Sequence, residues 1–283
     1  MEGDLVQRKF LSLINRNNII LSDLERKTVR NNVNLHYYKV NSTTENLGDY
    51  LSVVIVDYMK NLMNVDDKKQ LSKTKHLYAV GSIIQNGFQN ATIWGSGFLN
   101  DPSGSRLIRN MKLFRKLDIR AVRGPNTYNA LKSLGYKCPN VFGDPAILMP
   151  LIYKPKDNIM QKKDYSVICH MADNSKCENR IDMLTKDYKK TITEIVSSNL
   201  IISSSLHGII LSEVYGVPAI LYRPKNLDNS LFKFEDYYFS TGRMTFPIAE
   251  SIEEAIKMQP CNLPDFSDMQ EALINAFPKD LYE

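Results

Sequence analysis

The spacing of hydrophobic and polar residues changes period along this chain. Short apolar runs at 35–40, 77–81 and 91–94 have the length and β-branched or aromatic content of buried strands, while 50–62 repeats its apolar residues at helical spacing. The second half shows the same alternation more plainly. Residues 165–169, 200–204 and 217–222 read as strands, and 191–198 and 206–215 as helices. Strands that alternate with helices in this way predict βαβ units and parallel sheets. Gly124 and Pro125 predict a further helix start, Pro being preorganised for a first helical position, and Gly135 its end. Two closing helices are predicted at 251–258 and 265–277.

Residues 149–158 interrupt the rhythm with Pro150, Pro155 and a charged end, the composition of a crossing segment. The expected architecture is α/β, with two Rossmann-like domains, 1–150 and 151–283. Their parallel sheets would face a cleft at the carboxyl ends of the strands, where open parallel sheets bind ligands. The first thirty residues predict a helix with Leu5, Phe10, Leu11, Leu13 and Ile14 beside Arg8, Lys9 and Arg16. That stripe suits either packing on the core or contact with lipid headgroups.

Composition narrows the class. The chain has 283 residues, 43% hydrophobic and 24% charged, enough for substantial cores. No apolar run approaches the roughly 18 residues of a membrane span, and the start lacks the order of a signal peptide, so a cytoplasmic protein is expected. Cys138, Cys169, Cys177 and Cys261 form no C-x-x-C pair and read as reduced thiols rather than a disulfide framework or zinc site. The net charge of +5 suits small anionic substrates or an anionic membrane surface better than nucleic acid.

The richest chemistry lies where the strand 200–204 meets the helix 206–215. Ser203, Ser204, Ser205, Leu206, His207 and Gly208 bring hydroxyls, free backbone amides and an imidazole to a helix N-terminus, where the dipole favours an anion. Simple capping by the serines is the plainer alternative. Arg123, just before a helix start, has a fork suited to carboxylate or phosphate, or to an acid such as Asp144. Asp144 itself, between Gly143 and Pro145, reads as a turn-former. Gly95, Ser96 and Gly97 form a small-residue turn that suits the lining of a cleft. Asn46, Gly48 and Asp49 precede a helix and suit either sugar hydroxyls or capping. His170 ends a strand on the same rim, and Arg243 is a further candidate for an anion. Walker A, G-x-G-x-x-G after a strand, H-E-x-x-H and D-x-D patterns are all missing, and no metal or cofactor is expected.

In this order along the chain, Asn46 to Asp49, Gly95 to Gly97, Arg123-Gly124, Gly143-Asp144-Pro145, His170 and Ser204 to Gly208 resemble the polysaccharide pyruvyl transferase family. Many members carry Arg directly before the Leu-His pair, where this chain has Ser205; Arg243, then Arg223, are the expected replacements. The resemblance implies a fold similar to the two-domain GT-B glycosyltransferases and a transfer from phosphoenolpyruvate, a co-substrate, onto two hydroxyls of a sugar. It implies that Arg123, Ser204, the amides of Leu206 to Gly208 and Arg243 hold the donor. His207 would contact phosphate and act as general acid while His170 shuttles the hydroxyl proton, or the two would exchange roles. The acceptor would be a surface-polysaccharide precursor, free or linked to polyprenyl diphosphate at the inner face of the membrane. Two rivals stay open: a GT-B-like transferase using a sugar nucleotide, and a noncatalytic module that binds an anion.

Overall fold

The computed structural model describes residues 32–40, 44–66, 70–155, 162–171, 173, 177–224 and 230–283. The expected N-terminal helix lies outside them. Two four-stranded sheets, both wholly parallel, organise the rest. In the first, β1 (Val33–His36), β2 (Lys75–Tyr78), β3 (Ala91–Trp94) and β4 (Leu117–Ala121) lie in sequence order; in the second, β5 (Ser166–Ile168), β6 (Ile201–Ser203), β7 (Ala219–Tyr222) and β8 (Ile248–Ala249) do the same. Every residue of β3, β5, β6 and β7 is buried, as parallel strands covered on both faces require, and this is why they read as continuous apolar runs.

The principal helices are α1 (Leu47–Leu62), α2 (Pro125–Ser133), α3 (Tyr188–Val196), α4 (Leu206–Val214), α5 (Phe232–Ser240) and α6 (Ser267–Asn275). α1 begins three residues before its apolar stripe because Asn46 caps it, accepting the Asp49 N–H at 3.4 Å. β2 begins two residues earlier than its apolar run and leaves the sheet at Ala79, because the chain must turn at Gly81, whose φ is +111°. The expected crossing segment is partly structured: Met149–Ile152 forms a helical turn with Met149 fully buried.

One continuous core joins the halves. Leu47, Leu51 and Ile55 of α1 cluster with Ile168 of β5 and Ile209 of α4. The chain then returns to its beginning. Trp94 of β3 donates its indole N–H to the Leu273 carbonyl of α6 at 2.9 Å and meets Phe277 edge-on at 5.1 Å, and Arg120 of β4 pairs with Asp280 at 2.7 Å. The last helix therefore packs on the first sheet, although it follows the second in sequence. Among the described residues no helix is long and apolar enough to cross a membrane.

Candidate functional site

The loops at the carboxyl ends of β2, β3, β4, β5 and β6 converge with the start of α1, and this is where most of the expected site residues lie. His207 is the second residue of α4, and its ring lies against Gly48 of α1 so closely that a Cβ at Gly48 would run into it. Glycine at 48 thus admits the imidazole, and the first and second halves of the chain touch through this pair. On the other side, His207 Nε2 lies 3.7 Å from Asp144 Oδ2, and both atoms are buried without a hydrogen bond among the described residues. The other Asp144 oxygen accepts the Ala146 N–H at 3.0 Å. Asp144 is a turn-former, as its neighbours suggested, and it is also the acid that faces the histidine.

The three serines divide in role. Ser203 is fully buried; its hydroxyl donates within the turn, to the Ile168 or Ser205 carbonyl, and accepts the Ser205 N–H at 3.0 Å. Ser204 is also fully buried and accepts the His170 N–H at 2.8 Å, which fixes the end of β5 to the end of β6. These two hydroxyls build the turn rather than present themselves to a ligand. Ser205 is different. It is half-buried at the N-cap of α4, makes no capping bond, and its hydroxyl has no partner among the described residues. The first hydrogen bond of α4 runs from Ile209 N–H to the Ser205 carbonyl at 3.2 Å, so the amides of Leu206, His207 and Gly208 precede it as open donors. At Gly208 a Cβ would meet Ser203 Oγ and Ile168, so this glycine serves the close packing of α4 on the strands.

Arg123 is fully buried and heavily committed. Its Nε donates to Asp236 Oδ2 at 3.0 Å, Nη1 to Ser82 Oγ at 2.6 Å and Nη2 to the Phe98 carbonyl at 2.7 Å. Asp236, from α5, also accepts the Thr127 N–H at 2.9 Å and hydroxyl at 2.6 Å. The acid that pairs with Arg123 is therefore Asp236, not Asp144. Gly95, Ser96 and Gly97 support this arrangement and do not line an open surface. Gly95 adopts φ +85° against Pro145, Ser96 is buried and donates to the Gly81 carbonyl at 2.7 Å, and a Cβ at Gly97 would lie 2.5 Å from Arg123 Cζ.

Arg243 is engaged within the protein. It forks onto Glu213 with two bonds of 2.7 Å, donates from Nε to Thr241, and lies over the Tyr238 ring at 4.5 Å. Three of its five N–H donors are thus taken, by Glu213 and Thr241. Arg223 is half-buried, with its N–H bonded to Ala249.

Two groups remain chemically open. Asp49, half-buried on α1 beside Gly81, has no hydrogen bond to its carboxyl among the described residues. Burial pushes its pKa up to about 6, against the opposing pull of His207 and Lys233. Lys233, on the first turn of α5, is buried, and burial pushes its pKa down to about 8, with Arg123 adding to the fall and Asp49 opposing it. Burial and then Lys233 also push His170 down to about 4, so its imidazole is neutral at physiological pH. Lys233 and Asp236 were not read from the sequence. The signal for them was present: a Lys and an Asp three apart share one helical face in a segment whose Phe234, Tyr237 and Tyr238 are all buried. No group of three or more His, Cys, Asp or Glu among the described residues is placed to hold a metal ion.

Comparison with known proteins adds identity to this geometry. A family model described as polysaccharide pyruvyl transferase matches residues 46–226, which begins at the cap of α1 and runs past the α4 turn. An uncharacterized protein of Acanthamoeba polyphaga mimivirus is 25% identical over 226 residues, 75% of each chain. A solved structure of an uncharacterized protein from Klebsiella pneumoniae subsp. pneumoniae is 19% identical, with a TM-score of 0.46 over 78% of this chain and 92% of that one.

Proposed function

The chain belongs to the polysaccharide pyruvyl transferase family, and from that premise we propose that it moves the pyruvyl group of phosphoenolpyruvate onto two hydroxyls of a sugar in a surface-polysaccharide precursor, closing a cyclic ketal. Membership supports a pyruvyltransferase role in polysaccharide biosynthesis. The observation that carries the finer reading is His207, set at the open N-terminus of α4 between Gly48 and Asp144. An anion bound there meets the Leu206, His207 and Gly208 amides, the helix dipole and the unbonded Ser205 hydroxyl.

The donor sits between the two sheets in a GT-B-like arrangement. In the reaction the methylene carbon of phosphoenolpyruvate gains a proton and the oxygen of one sugar hydroxyl bonds to C2. The C2–O bond to phosphate then breaks, phosphate leaves, and the second hydroxyl closes the ring. Of the two hydroxyl protons released, one balances the carbon protonation and the other leaves with phosphate. His207 is suited to deliver the first proton. Its Nε2 faces Asp144 Oδ2 at 3.7 Å with no hydrogen bond among the described residues, while Nδ1 packs against Gly48. His170, kept neutral by burial, has no proton to donate as imidazolium at physiological pH, and any role with the hydroxyl is that of a hydrogen-bond acceptor which orients it.

The test is phosphate release from phosphoenolpyruvate with galactosyl, glucosyl and mannosyl acceptors, comparing the protein with His207→Ala. Release that requires acceptor and is lost in the variant supports ketal transfer. No release with any acceptor, together with thermal stabilisation by a sugar nucleotide, replaces it with glycosyl transfer.

A further inference from the structure

Lys233 is only 7% exposed, and its ammonium lies over the Phe234 ring at 5.0 Å, with no hydrogen bond and no ion pair among the described residues. A largely buried charge compensated only by a ring face is costly, and such groups persist where something outside the protein completes them. Its surroundings are defined. Asp49 and Arg123 both act on it electrostatically, and Lys233 in turn acts on His170. Arg123 is spent on Asp236, Ser82 and Phe98. Asp49 is a free carboxyl within electrostatic reach of both Lys233 and His207, but Lys233 forms no ion pair with it. A flexible lysine serving only structure would close on that carboxylate.

The segment that matches the family ends at residue 226, so Lys233 lies beyond it. The other cations expected to meet an anion are occupied, Arg123 by Asp236 and Arg243 by Glu213. We propose that Lys233 is the cation that binds an oxyanion of the donor, carboxylate or phosphate. The assignment rests on the pyruvyl-transfer reading for the donor's identity, but the binding itself does not need turnover. Position 233 is fixed by α5: Asp236, one turn on, is anchored by Arg123 and Thr127, which holds the helix that carries Lys233.

The test is titration calorimetry with inorganic phosphate, pyruvate and phosphoenolpyruvate, on the protein, Lys233→Met and Lys233→Arg, with thermal melts of each without ligand. Lys233→Met should bind phosphoenolpyruvate about ten- to a hundredfold more weakly, as the loss of one charged hydrogen bond predicts, with Lys233→Arg recovering part of it. Weakening of phosphate alone assigns the phosphoryl group as the one contacted, and weakening of pyruvate alone assigns the carboxylate. Without ligand, Lys233→Met should melt higher than the parent, since an unpaired buried charge is gone; a structural lysine would give the reverse. Unchanged binding of all three probes in Lys233→Met, or no binding of any to the parent protein, overturns the proposal. If Lys233→Met does not fold, Lys233→Arg decides alone, and parent-like affinity together with a lower melt then overturns the proposal. Weakened binding without acceptor-dependent phosphate release would leave Lys233 as an anion ligand and remove pyruvyl transfer. Turnover with a parent-like KM for phosphoenolpyruvate in Lys233→Met would do the opposite.

Discussion

Arg123 of the first half and Asp236 of the second are joined at 3.0 Å, and neither side chain is exposed to solvent. Asp236 accepts three bonds besides its share of charge, so removing it strands a buried guanidinium. Asp236→Ala should cost about 3–5 kcal/mol of stability, read by urea denaturation. Arg123→Ala should cost a similar amount, and any loss of activity in that variant must be separated from unfolding by measuring the folded fraction in the assay. A stable, well-folded Asp236→Ala would show that the pair does not hold the halves together.

The contact between Gly48 and His207 predicts a conditional effect. Gly48→Ala places a methyl group where the imidazole now lies, and should lower kcat by tenfold or more and stability by about 1–3 kcal/mol. In a His207→Gly background both the ring and the Cβ, itself 2.8 Å from the added methyl, are gone and the same substitution should be tolerated. A double-mutant cycle on stability therefore gives a large non-additive term, and additivity would mean the ring does not occupy that space in solution.

Asp144 should act on rate rather than on binding. Asp144→Asn keeps an oxygen for the Ala146 N–H but removes the negative charge 3.7 Å from His207 Nε2. kcat should fall by about ten- to a hundredfold with KM for phosphoenolpyruvate unchanged, at or below the bottom of the range for a lost general acid or base, since Asp144 acts through His207. A KM effect alone would make Asp144 a scaffold for the turn and nothing more.

Asp49 predicts a dependence of stability on pH with a defined sign. Its folded pKa, about 6, lies above the ordinary aspartate value of 3.8, so the folded protein holds this proton more firmly than the unfolded chain. Ionisation of Asp49 therefore costs stability, fully above pH 6 and not at all below the unfolded value. Asp49→Asn should be more stable than the parent at pH 8 by about 1–3 kcal/mol, and the difference should vanish as pH falls below about 4. Calorimetric melts at the two ends check it; a destabilised variant at pH 8 would show that the carboxylate has a partner in solution.

The parallel sheets were legible in the sequence because strands covered on both faces are largely apolar: β7 is so throughout, and β3 and β6 carry one hydroxyl residue each, Thr92 and Ser203. The α4 turn was legible for a related reason: serines, histidine and glycine between a buried strand and a buried helix leave few arrangements. The division of labour inside it was not. Ser203 and Ser204 face inward and Ser205 outward, a matter of the path of the turn that composition does not encode. β8, of two residues, is too short to carry a period, and α5 has neither a side-chain cap nor a clean polar face. Lys233 and Asp236 were hidden by that aromatic helix, and the roles of Arg123 and Arg243 depended on acids 113 and 30 residues away in the chain.

The return of α6 to the first sheet has a mechanical consequence. The chain passes from the first half to the second after α2 and comes back before α6, so two covalent passes join the halves rather than one. Opening about a single hinge is then restricted, since both passes must accommodate any rotation while Trp94 stays bonded to Leu273. Unfolding is coupled in the same way: neither sheet can melt without releasing the segment that secures the other, and heating should give one cooperative transition instead of two.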